Sequence, residues 1–200
     1  MSYANTGMRY PVWAPFVSHT EGSEPTYGTG MVVEEAIDAT ITYTSDSGAI
    51  LCGDDIAVDV DDGITGYTVS FNPTGLKDAH RAAILGEEHN TTSDEYEITD
   101  AAHPWGGFGF FRVMRDNDNG GTKYFEALWC RKIKFRLPSE EARTKEGAIA
   151  WRTPVMEGTG TGLQVDDGPN LKYIRRKTFT TASAAKAWLI ARANISAVTT

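Results

Sequence analysis

Five aspartates crowd between positions 54 and 62: Asp54, Asp55, Asp59, Asp61 and Asp62. Clustered carboxylates of this kind could hold calcium, which takes six to eight oxygen ligands. An EF-hand loop opening at Asp59 needs glycine sixth and glutamate twelfth, where Ile64 and Ser70 stand. Opening at Asp116, Gly121 does fall sixth, but the twelfth position is Ala127. The acidic run therefore reads as a solvated loop. Gly158, Gly160 and Gly162 hint at a phosphate cradle, yet they lack the GxGxxG spacing and a following Lys-Ser or Lys-Thr, and read as a flexible connector. His19, His80, His89 and His103 show no metal-binding spacing. Glu87–Glu88 and Glu140–Glu141 read as charged faces or helix starts, and no GxSxG elbow presents a nucleophile. No catalytic residue, metal or cofactor is expected.

Charge segregation carries more. Against the aspartates stand two basic clusters, one of Arg131, Lys132, Lys134 and Arg136, the other of Lys172, Arg175, Arg176 and Lys177. In a monomer these are solvated faces. In a stacked homo-oligomer, an acidic patch meeting a basic one on the next copy makes a head-to-tail contact, which generates rings and filaments. The formal net charge of −8 argues against coating nucleic acid, since neutralising phosphates needs surplus Lys and Arg.

The elements that would position these residues are mostly strands. Two hundred residues allow one domain with a sizeable core. Residues 1–35 read as loop-rich, above all the polar stretch Ser18–Gly30. Alternation predicts strands at Ala36–Thr44, Ile56–Val60 and Tyr67–Phe71, with a short strand at Tyr96–Ile98. Leu76–Leu85 has helical spacing, with Gly86 at the C-cap position. The clearest signal is a hairpin: Gly106–Arg115, the turn DNDNGG, then a return strand from Thr122 to about Leu137. Sixteen alternating residues would reach ~50 Å, so that strand bends or projects past its own domain. Ile149–Gly158 reads as an edge strand or one that changes direction at Pro154, and Leu171–Phe179 as a further strand. A closing helix over about 182–195 would turn Ala184, Ala187, Trp188, Ala191 and Ile195 to one face. The expected class is mainly β, a β-sandwich or partly closed barrel with a short central helix and a C-terminal helix.

Cys52 and Cys130 form no motif and read as free thiols of a reducing compartment; a disulfide would need a fold that brings them together. Neither a basic-then-apolar start nor an apolar run of ~18 residues is present, so synthesis in the cytoplasm and no membrane association are expected.

From Thr26-Tyr27-Gly28-Thr29 through Gly107–Phe111 and Tyr124–Phe135 to the Thr180–Leu189 helix, the order of segments resembles the major tail proteins, or tail tube proteins, of siphophages that infect Gram-positive bacteria. The matching stretches are Thr26-Tyr27-Gly28-Thr29, Cys52-Gly53-Asp54-Asp55, the helix end Ala82–Gly86 and the aromatic Gly107–Phe111. Further on come Tyr124–Phe135 (YFEALWCRKIKF), Pro138–Lys145, Thr153–Thr159 and the Thr180–Leu189 helix. Together they span about residues 20–190, although Ile133–Arg136 extends the family's usual strand end and Glu87–His103 matches no motif.

The resemblance implies a single tail tube domain that assembles into hexameric rings, stacked as a conduit through which genomic DNA passes without specific binding. The implied location is the virion, and the implied partners are further copies of itself and the tape measure, tail tip and terminator proteins. On that reading Asp54, Asp55, Asp59 and Glu126 are candidates for the lumen or ring faces, where acid repels phosphate. Arg131, Lys132, Lys134 and Arg136 are candidates for ring stacking, and Tyr27 and Trp188 for subunit contacts. Two rivals stand beside it. One is another ring-forming component, a terminator or a secretion-system tube subunit. The other is a carbohydrate-binding β-sandwich with Trp13, Trp105 and Trp151 as its platform.

Overall fold

The computed structural model describes residues 3–46, 50–53, 56–60, 63–118, 120–136 and 153–196. Its strands are β1 (Tyr3–Ser18), β2 (Thr26–Tyr27), β3 (Met31–Val32), β4 (Ala36–Ser45), β5 (Ile50–Gly53), β6 (Ile56–Val60) and β7 (Ile64–Pro73). After helix α1 (Asp78–Leu85) come β8 (Glu88–Asn90), β9 (Glu95–Glu97), β10 (Gly106–Asp116), β11 (Lys123–Phe135), β12 (Met156–Gly160) and β13 (Ile174–Phe179). Helix α2 (Ala182–Arg192) follows. The fold is mainly β, as expected.

One nine-stranded sheet dominates, in the order β2-β1-β10-β11-β12-β7-β4, with β13 also on β11 and β3 on β1. The hairpin β10–β11 is its spine. Asp116 and the DNDNGG turn reverse the chain, Gly120 and Gly121 adopting left-handed φ of 60° and 77° that suit glycine. Beyond the turn the register runs from Arg115 opposite Lys123 to Gly106 opposite Ile133. Strand β11 does not project past the domain. Its other edge bonds β13 over Phe125–Cys130 and then β12 over Ile133–Phe135, so a change of partner uses up its length inside one chain.

The sheet buries apolar side chains on both faces. On one side, Trp13, Tyr67, Val69, Phe71, Phe108, Phe110, Leu128, Ile133 and Phe135 pack with Ile84 and Leu85 of α1. Gly86 caps that helix at φ 80°, its N–H donating to the Ala82 carbonyl. On the other side, Val12, Ala14, Phe111, Ala127 and Trp129 lie under Ala185, Leu189 and Ala193 of the C-terminal segment. Thr181 caps α2, its hydroxyl accepting from the Ala184 N–H at 3.3 Å.

Three expectations are corrected. The N-terminus is not loop-rich throughout: β1 is a 16-residue strand, although its stretch contains Gly7, Pro11 and Pro15 and lacks alternation. Pairing with β10 organises it, and its register shifts absorb the irregular residues at Asn5/Gly7 and Arg9/Val12, where Tyr10 sits at φ 58°. Second, two of the three glycines read as a connector are strand residues: Gly158 and Gly160 lie in β12 with no side chain to hold off their neighbours, while Gly162 follows the strand. A Cβ at Gly158 would come within 2.7 Å of Ile133 Cδ1, and one at Gly160 would enter the Tyr67 ring. Third, the buried stripe of α2 is Ala185, Leu189 and Ala193, with Ala187 and Ala191 exposed, one residue around the helix from the expected face. Trp188 borders the stripe, packed on Phe179 at 6.3 Å between ring centroids.

Candidate functional site

The expected site residues separate into an interior set and a surface set. Glu126 is in the interior, 6% exposed, and does not face an open surface. Counting outward from the turn sets it across from Arg112, whose Nη2 lies 2.6 Å from Glu126 Oε2. Arg176 on the other flank approaches Glu126 Oε1 at 3.9 Å. A carboxylate held this way is a strut between β10, β11 and β13 rather than a free repulsive charge.

Arg131 is likewise withdrawn, at 5% exposed, and does not stand on an open ring face. Its Nη2 reaches Glu24 Oε1 at 3.3 Å, and Arg175 meets the same oxygen at 2.8 Å. Tyr27, expected at a subunit contact, is internal architecture. Its hydroxyl donates to the Arg131 carbonyl at 2.7 Å and accepts from Trp129 Nε1 at 3.2 Å. Burial raises its pKa far above the ordinary phenol value, against the opposing pull of the Trp129 hydrogen bond. Gly107 leaves room for this pair, since a Cβ there would come within 2.7 Å of Tyr27 Cε1.

The remaining basic residues stay closer to solvent. Lys132 and Lys134 hold their ammonium groups 4.9 and 4.7 Å from the Trp105 ring centroid, and Lys132 also lies 5.2 Å from that of Phe16. Arg136 is exposed. Trp13 is 2% exposed, so it cannot serve a surface sugar platform with Trp105; Trp151 lies outside the described residues. Asp54 and Asp55 also lie outside them. Asp59 sits in β6 opposite Leu51, in the β5–β6 hairpin. Cys130 is a buried free thiol, pushed by burial up to about 12 and so protonated.

Sequence reasoning missed the open end of the sheet. Strand β4 bonds β7 along one edge, and among the described residues no strand bonds its other edge. Ten residues long, it carries no Lys, Arg or Pro; its one charge is the exposed Asp38, at a register shift near its start, and Ile37 and Tyr43 are 56% and 52% exposed. Beside it opens a cleft of about 870 Å³ between β4 and β13. Met8, Ile41, Phe110, Leu128 and Ile174 are its apolar lining. Arg112, Arg131, Lys172, Arg175 and Arg176 line it as well, and among the described residues no aspartate or glutamate does. Four of these guanidiniums share two carboxylates, Glu24 and Glu126, which leaves the region electropositive. Arg192 registers the same field: burial first, and then the charge of Arg175, hold its pKa below the ordinary value. The lack of Lys, Arg and Pro in β4 was readable in the sequence; the cleft was not, because it is lined by β1, β4, β10, β11 and β13 together.

Such an arrangement suits strand addition and the binding of an acidic, partly apolar segment. Among the described residues, no group of three His, Cys, Asp or Glu side chains is placed to hold a metal ion. No described helix is long and apolar enough to cross a membrane. Compared with known proteins, the chain matches no family model and no curated protein.

Proposed function

We infer that this chain is a structural subunit that self-associates through its sheet, without enzymatic activity. The observation that carries the reading is the outer edge of β4, whose backbone groups no strand among the described residues bonds, with Ile37 and Tyr43 exposed beside it. Natural proteins blunt or cover a free edge of this length, because it pairs with whatever strand arrives. Pairing with further copies satisfies those backbone groups and removes the exposed apolar surface. A contact between unlike surfaces of identical subunits closes a ring or continues as a filament.

The sequence resemblance gives that assembly its setting: a phage tail tube of stacked hexameric rings in the virion, a conduit for genomic DNA. Tape measure, tail tip and terminator proteins are its further partners. The acidic balance of −8 suits a channel along which phosphates slide without adhering. With Glu126 committed to internal ion pairs, Asp54, Asp55 and Asp59 are the remaining candidates for lumen or ring-face acids.

Negative-stain electron microscopy over a concentration series tests the reading. Hollow tubes or stacked six-fold rings are the expected result. Single rings that never elongate would favour a terminator. Monomers at every concentration, including after addition of a tail-tip initiator, would overturn it.

A further inference from the structure

Strand addition uses the backbone edge of β4; the cleft behind that edge is a separate space. Ala39, Ile41 and Tyr43, alternate residues of β4, line one wall. Met8 of β1 lines it too, the buried Phe110 and Leu128 form the floor, and Ile174 of β13 stands on the opposite wall. At about 870 Å³ the cleft has the size of a small-molecule site, in which a mostly apolar lining and a few placed polar groups are the rule.

The cations that line it are held with unequal firmness. Arg131 and Arg175 both lie within 3.3 Å of one Glu24 oxygen, and Lys172 has Asp166 at 3.6 Å. At the end where Arg112 faces Glu126, one carboxylate serves two guanidiniums. Arg112 takes it at 2.6 Å, which leaves Arg176 at 3.9 Å with 73% of its side chain exposed. The apolar surface lies toward the other end. There Arg131 donates its N–H to the Tyr173 carbonyl, the Tyr173 hydroxyl donates to the Ile64 carbonyl at 2.6 Å, and Tyr43, Ile64 and Leu171 are about half exposed. From Glu126 to Arg131 an extended strand advances about 17 Å. One loosely held guanidinium at one end of an apolar trough matches a molecule with one charged head and one apolar tail.

We propose that this cleft binds a small amphiphilic monoanion, a carboxylate on an unbranched apolar chain. Its carboxylate pairs with Arg176 beside Arg112, and its chain runs over Phe110, Leu128 and Ile41 toward Tyr43 and Ile64. Two guanidiniums on one glutamate leave one positive charge, which a monoanion neutralises. The planar guanidinium fork presents parallel N–H donors to both oxygens of a carboxylate. The chain takes Tyr43 and Ile64 out of water, and the gain grows with the apolar area covered. The ligand lies against the side chains of β4 and leaves its backbone edge free, so the site does not rest on self-association.

Isothermal titration calorimetry of the full-length protein with dodecanoate, kept below its micelle-forming concentration, tests this. One molecule should bind per chain. Octanoate, with a shorter tail, should bind more than tenfold more weakly. Dodecyltrimethylammonium, with the same tail and the opposite charge, should not bind. Arg176→Ala should weaken dodecanoate about tenfold and Arg176→Lys by less, both variants unfolding at the wild-type midpoint because the side chain is exposed. No binding of dodecanoate would overturn the proposal. So would several molecules per chain that ignore the Arg176 substitutions, or equal binding of the cationic detergent. An acidic peptide of alternating apolar residues that binds where dodecanoate does not would assign the cleft to a polypeptide and overturn it as well.

Discussion

The two faces of the large sheet are finished differently. Under α2 the surface is closed: Trp129 lies over Gly107, Tyr27 bonds both Trp129 and the Arg131 carbonyl, and Leu189 seals Gly109. On the opposite face, α1 and the Tyr67–Phe71 run seal one end, but among the described residues the end between β4 and β13 stays open. There Tyr43, Ile64 and Leu171 are 49–52% exposed beside a basic rim. The difference teaches which residues the fold needs and which it leaves for something else. On the proposed reading, closed regions lose stability when altered, and open ones lose association while stability stays put.

The largest effect should come from the closed side. Trp129→Ala removes a side chain that is 2% exposed and deprives the Tyr27 hydroxyl of its donor. A loss of about 3–5 kcal/mol is expected in urea or thermal unfolding. Next comes the strut at the border of the two regions. Glu126→Ala leaves Arg112 without its charge-assisted hydrogen bond, and a loss of about 1.5–3 kcal/mol should follow. Should it instead be neutral, Glu126 would be as dispensable as a surface acid and the border would shift.

A smaller effect concerns pH. Burial works against the Glu34 carboxylate, but the close contact with His80, whose Nδ1 lies 2.8 Å from Oε1, and the charges of His80 and Lys77 outweigh it and hold its pKa below the ordinary value. A carboxyl depressed in the folded state contributes stability above its unfolded pKa. That contribution is lost as pH falls through the lower folded value. Unfolding experiments from pH 6 down to about pH 3 should therefore show a decline that Glu34→Gln makes shallower. The smallest change in stability belongs to the open end. Ile37→Lys with Tyr43→Lys should shift unfolding by no more than about 0.5 kcal/mol per site, since both side chains already face solvent.

Much of this division was legible where local signals agree. The DNDNGG turn and the alternation around it place β10 and β11 to within two residues, and Gly86 ends α1 where a left-handed cap is required. The turn also contained the Arg112–Glu126 pair, because counting four residues out from Asp116 and Thr122 brings them face to face. Other features have no local signature. Strand β1 is held by its partner, not by its own pattern. Glu24 and Arg131 meet across 107 residues of sequence. The stripe of α2 was misjudged because alanines on every side give no contrast, and one residue turns a helix by about 100°. Whether β11 would project could not be read either, since its change of partner from β13 to β12 depends on segments far along the chain.

The central claim is that the open β4 edge is an assembly surface, and sedimentation velocity across a concentration series tests it most directly. The wild-type chain should grow into large species with rising concentration, while Ile37→Lys with Tyr43→Lys stays monomeric and unfolds at the wild-type midpoint. Equal growth in both proteins, or a monomer in both at the highest concentration, would contradict it.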